Sequence, residues 1–231
     1  MWTKRGLLSL AVIGGLFVAC GGDSPTGSDP IGGDTDLAIS AVGNTIPTGS
    51  INLNGTYYNV GGSLTVTANQ SGLTTLHLTA DLANAPALQA KVNAMAASLA
   101  GPGGWVAGFL SGGTISTDIK LRITSEGIQD YFNADKKLQT LVRYDAKVGD
   151  TYRTTLSDGS TITRTVTKVS TTDDFAYGLL MIKTIKVEQD SHLAGVRKFV
   201  YHANHRFGLV WVEAQMEDGT TLSYFLFPSN Y

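Results

Sequence analysis

A single cysteine, Cys20, stands in 231 residues, so no intramolecular disulfide can form and the fold must rest on its apolar core. Charge is scarce too. Asp, Glu, Lys and Arg make up only 16% of the chain. No block of like charge occurs, which removes the basic footprint of a nucleic-acid binder. One long apolar run is present, Leu7 to Val18, and at about 12 residues it falls short of the ~20 that span a bilayer. The usual signatures of chemistry are missing as well. No G-x-S-x-G frames a serine nucleophile. The glycines after Ser111 lack the lysine and following helix of a phosphate-binding loop.

What the N-terminus does hold is ordered. Lys4 and Arg5 precede the apolar run, which ends in Phe17-Val18-Ala19-Cys20 before Gly, Asp, Ser and Pro take over. A charged region, an apolar region and small residues before a cleavage point define an export signal. Phe17-Val18-Ala19-Cys20 resembles the lipobox of bacterial lipoproteins. Ala19 and Cys20 match its last two positions, whereas Phe17 and Val18 fit the first two loosely. The resemblance implies a signal peptide over 1–19, lipidation of Cys20 and a mature chain anchored in a membrane through it. Under the sorting rule of diderm bacteria, Gly21 in place of Asp implies the outer membrane. With Lys4 and Arg5 removed from the 17 Lys and Arg, the mature chain carries 15 cations against 19 Asp and Glu, a formal charge of −4.

Residues 21–36 read GGDSPTGSDPIGGDTD, with Ile31 as the one large apolar side chain. Such a stretch is expected to be a flexible tether (20–36, counted from the cysteine), followed by a single β-rich domain over 37–231. In that domain Leu64, Val66 and Ala68 alternate with threonines, and Leu76, Leu78 and Ala80 answer them across an Asn69–Gly72 turn. This predicts a hairpin with one apolar face. Ile115 to Ile123 alternates without a break. Thr161 to Lys168 puts threonines on one face and Ile162, Arg164, Val166 and Lys168 on the other. Further strands are predicted over 128–131, 138–144, 179–188, 196–202, 209–216 and 220–227, with an Asp-Gly turn at Asp158-Gly159.

One stretch has the helical period instead. Leu88, Val92, Met95 and Leu99 recur at i, i+4, i+7 and i+11 between Pro86 and Gly101-Pro102, which predicts an amphipathic helix over 85–100. A short apolar segment follows among glycines, where Trp105 and Phe109 share a face if it turns helically. Both pieces are expected to pack on the sheet, and Trp105 with Phe109 forms a candidate hydrophobic lid.

Tyr144 to Tyr152, with Val148-Gly149-Asp150, resembles the P-x-x-V-G-D-x-W opening of bacterial envelope lipoproteins. Thr165 to Val169 is similar to their T-V-T-x-V strand, Phe175 to Lys183 to a V-P-A-G-x-F-x-x-I-K stretch, and Tyr201 to Val210 to a Y-A-x-x-V-G-L-V segment. Asp145 and Ala176-Tyr177-Gly178 depart from those patterns. The resemblance covers about residues 128–227 and implies a curved antiparallel sheet, a half-barrel or open barrel like that of periplasmic lipoprotein carriers. It carries no catalytic residues and no cofactor.

Remaining constellations are thin. His202 and His205 form an H-x-x-H, yet zinc takes three or four ligands, and only His192 with Glu188 or Asp190 stand nearby in sequence. Asp173-Asp174 reads as turn chemistry. Trp211, Tyr224, Phe225 and Phe227 read as core and rim of the sheet. About ten strands against ~25 helical residues leave one expectation foremost: a non-enzymatic envelope protein whose curved sheet shelters a hydrophobic ligand or binds an envelope partner. The alternative is a surface interaction module whose interior is filled by its own side chains. A metal hydrolase built on His202 and His205 comes third.

Overall fold

The computed structural model describes residues 27–99, 110–111, 113–133, 135–190 and 195–231. Cys20, the candidate lid of Trp105 and Phe109, and His192 lie outside them. Strands dominate, as the alternation predicts. In chain order they are β1 (Thr45–Pro47), β2 (Ser50–Leu53), β3 (Thr56–Asn59), β4 (Gly61–Gln70), β5 (Leu73–Asp81), β6 (Leu110–Ser111), β7 (Thr114–Thr124), β8 (Gly127–Asp130) and β9 (Gln139–Arg143). The series continues with β10 (Thr151–Thr155), β11 (Thr161–Val169), β12 (Phe175–Tyr177), β13 (Leu180–Ile182), β14 (Ile185–Asp190), β15 (Val196–Asn204), β16 (Gly208–Met216) and β17 (Thr221–Phe225). One helix, α1 (Pro86–Leu99), interrupts them.

Two open antiparallel sheets result. The first runs β1-β4-β5-β7-β8-β9 with β6 beside β7, and the second runs β10-β11-β14-β15-β16-β17-β2-β3. One core joins them: Leu64, Val66, Leu76, Leu121, Ile123 and Ile128 of the first sheet pack with Tyr152, Val166, Ile185 and Val187 of the second. The mainly β architecture, with antiparallel sheets that stay open, agrees with the sequence reading. Its division into two facing sheets comes from two seams.

At one seam a single long hairpin changes sheets. Its arms are β1–β2 and β3–β4; Ile46 pairs with Leu64 in the first sheet and Ile51 with Tyr58 in the second. At the bend, Thr48 N donates to Gly62 O (3.1 Å) and Val60 N to Gly49 O (2.9 Å). Gly62 holds φ +128°, and a Cβ there would sit 2.1 Å from Thr79 O. Only glycine lets β5 approach so closely. Helix α1 covers this seam: Leu88, with Ala85 just before the helix, packs on Val60, Ala80, Leu82 and Ile115, and Val92 is half-buried beside them. Lys91 on the helix pairs with Asp218 of the β16–β17 turn.

At the other seam lies the stretch expected to be a free tether. From Gly27 to Asp36 it is docked. Gly27 N donates to Arg153 O of β10 (3.1 Å), and Thr140 N of β9 donates to Gly27 O (2.6 Å), so one residue spans both sheet edges. The Gln129 side chain then acts as a strand partner, donating to Asp29 O (2.7 Å) and accepting from Ile31 N (2.8 Å). Arg122 Nε donates to Ile31 O (3.2 Å), and Ser125 N donates to Asp34 O (2.8 Å). Ile31 is 2% exposed. The polar composition that reads as a linker instead supplies backbone groups to a polar edge, with Ile31 as its single plug.

Candidate functional site

The strand predicted over 179–188 breaks at Lys183-Thr184, and its first part folds back on Phe175–Tyr177. The resulting β12–β13 hairpin belongs to neither large sheet. Its turn is Gly178-Leu179, with Tyr177 paired to Leu180. Gly178 holds φ +60°, the conformation that a tight two-residue hairpin requires at its first central position. Pairing of Phe175 with Ile182 and Ala176 with Met181 sorts the side chains into two sets. Phe175, Tyr177 and Ile182 turn inward, whereas Ala176 and Met181 turn to solvent.

This arm lies on the outer face of the second sheet, where register aligns His202, Trp211 and Phe225 across β15, β16 and β17. Phe175 stacks on His202 (ring centroids 4.5 Å) and tilts against Phe225 (6.1 Å). Tyr177 stacks on Phe227 at 4.6 Å, meets Phe207 at 5.2 Å, and donates its hydroxyl to Leu226 O at 2.5 Å. Trp211 meets Phe225 edge-on at 4.2 Å. The aromatic set read as core and rim is thus mostly the bed of the arm. Tyr224 differs: it turns from that bed, and its hydroxyl donates to Pro47 O (2.6 Å). At the tip Leu179 is fully exposed, with Leu180 at 50% and Met181 at 54%. Phe227 and Tyr231 add exposed aromatic surface beside it, and Arg206 lies over the Phe207 and Tyr231 rings.

His202 is half-buried under Phe175, with Nδ1 3.2 Å from Thr184 Oγ1. Burial pushes its imidazole down to about 4, helped by the ammonium groups of Lys186 and Lys168. His205 sits exposed in the β15–β16 turn. Glu188 is held by Lys186 (2.6 Å) and Lys198 (2.5 Å). Burial opposes its charge, but these two partners bring the carboxyl down to about 2. Asp174 accepts from Ser170 (2.6 Å) and pairs with Lys168 (2.7 Å), which is turn chemistry. Among the described residues, no three His, Cys, Asp or Glu side chains are grouped to hold a metal ion.

A second constellation escaped the sequence reading. Arg164 (1% exposed) and Asp130 (0%) form an ion pair at 2.8 Å inside the domain. Arg164 Nε donates to Gln189 Oε1 (2.6 Å), Nη1 donates to Thr140 O (2.9 Å), and the guanidinium stands 5.6 Å from the Tyr201 ring centre. Asp130 also accepts from Phe132 N (2.9 Å). The signal was present: a cation sits between Ile162 and Val166 on an inward face. The network ties β8 and β9 to β11, β14 and β15, and its burial leaves no approach for a substrate.

Compared with known proteins, the chain matches no family model, no curated protein and no solved structure. No described helix is long and apolar enough to cross a membrane.

Proposed function

We propose that this protein is a lipid-anchored, non-enzymatic component of the bacterial cell envelope that binds a partner protein through the β12–β13 arm. One contrast supports the choice. Among the described residues, core side chains of the two sheets pack against one another, while Leu179, Leu180 and Met181 stand in solvent at the tip of the arm. Consecutive large apolar side chains on a tight turn are costly to leave in water, at ~25 cal/mol per Å², and such a surface marks an interaction site. An open depression of about 570 Å³, lined by Ala38, Ala41, Ser229, Asn230 and Tyr231, adds relief beside the arm but encloses nothing. The anchor rests on the export signal and the Cys20 lipobox, with the outer membrane as its site.

A photo-crosslinking amino acid at position 179, in cells carrying the full chain, tests the binding surface. A discrete protein adduct is expected, and Leu180→Asp with Met181→Lys should abolish it. Adducts to lipid alone, or an adduct indifferent to those substitutions, would overturn the reading. Radiolabelled fatty acid should enter the wild type and not Cys20→Ser; incorporation into the variant would remove the anchor.

A further inference from the structure

The docked segment Gly27–Asp36 fixes more than the edge of a sheet. Its partners run in order: Asp29 and Ile31 on Gln129, Ile31 on Arg122, Asp34 on Ser125. The segment therefore travels away from the 131–138 loop as its numbers rise. Gly27, the first of the described residues, therefore stands at the end of the domain that holds that loop. There Asp135 accepts from Ser157 N (2.7 Å), Lys137 reaches Thr155 O (3.3 Å), and Lys136 and Arg153 are exposed.

The arm belongs to the other end. Arg153 pairs with Thr163 on β11, and β11 then continues six residues to Val169 before the arm begins. Six residues of strand span ~20 Å at ~3.3 Å each. Only residues 21–26 separate Cys20 from Gly27. That length reaches at most ~25 Å fully extended. Turning the domain arm-down would use most of that contour merely to run back along the sheet.

Resting on the lipid-anchor reading, we propose that Gly27–Asp36 is an orienting strap. It holds the 131–138 loop and the β9–β10 seam against the bilayer that carries the anchor, and it points the β12–β13 arm away from that bilayer. The occupant of the loop end is the headgroup layer of the protein's own membrane, and that end carries exposed charges of both signs, Lys136 and Arg153 beside Asp29 and Asp158. The arm's partner then stands on the side away from the anchor.

Because Cys20 carries the lipid, a cysteine introduced elsewhere is the one thiol available to a label. Full-length lipidated protein bearing Lys136→Cys or Leu179→Cys, labelled with a donor dye, is reconstituted into vesicles containing acceptor-labelled phospholipid. Energy transfer several-fold stronger from position 136 than from 179 is expected. A Gly/Ser insertion after Thr26 that triples the tether leaves the folded residues untouched, and it should shrink that difference. Equal transfer from both positions, stronger transfer from 179, or a difference unchanged by the insertion would each overturn the strap. Failure of the protein to float with the vesicles would overturn the anchor itself, an outcome separable from the other three.

Discussion

Arg164 shares the inward face of β11 with Ile162 and Val166, and the interior accepts it because Asp130, Gln189 and Thr140 meet its donors. Removing one member of such a pair strands a charge away from water. Asp130→Ala should therefore cost ~3–5 kcal/mol in denaturant unfolding, whereas Arg164→Met combined with Asp130→Leu should recover most of that loss. Equal losses in the single and double variants would mean that packing, not charge, governs the site. His202 sets a pH dependence of known sign. Its folded value of about 4 lies below the ordinary 6.5, so between those values the unfolded chain binds more protons than the native one. The stabilisation is whole above pH ~6.5 and is lost as pH falls toward ~4. Melting temperatures measured across that window should decline less steeply in His202→Phe, which keeps an aromatic ring beside Phe175.

At the scale of elements, irregularities do the shaping. The register shift between Val166 and Lys168 inserts one residue into β11, so Val166 faces the core while Lys168, on the same face in strict alternation, turns out to Asp174. A bulge re-aims every side chain beyond it. The bend of the long hairpin depends on the closeness of Gly62 to Thr79 O. Gly62→Ala should cost ~2 kcal/mol or more, from a strained φ and a backbone clash. Gly61→Ala, with nothing within 4 Å of its Cβ position, should be nearly neutral. Parallel thermal melts decide it: similar values for the two variants would show that the bend does not need its glycine. The predicted strand over 179–188 is a related case. Alternation continues through Lys183-Thr184 and does not reveal the break that frees the arm.

On the scale of the whole molecule, the two open sheets are joined by the bent hairpin at one seam and by Gly27 at the other. Burying Ile31 alone is worth ~1.5–3 kcal/mol. A chain beginning at Gly27 should then melt like the full domain, while one beginning at Leu37 should lose at least ~2 kcal/mol, a fall of ~4 °C or more for a domain of this size. Equal melting temperatures would mean that the segment contributes nothing to the fold. The Ile31 position also shows why composition misled. Sixteen residues with one large apolar side chain resemble a linker, because the groups that capture them, Gln129, Arg122 and Ser125, lie about a hundred residues away in sequence.

Local periodicity was enough to read the antiparallel strands, the helix from Pro86 and most of the turns, because alternation and capping act within a few residues of themselves. The resemblance of Phe17-Val18-Ala19-Cys20 to a lipobox, too, is a wholly local pattern. Tertiary structure alone decided the rest: that the strands part into two facing sheets, that Arg164 finds Asp130, that Gly27–Asp36 docks, and that Phe175 to Ile182 leaves the sheets to present Leu179. Each of these depends on contacts between distant segments. Their energies appear only once a partner surface has formed, and no window of sequence contains both halves.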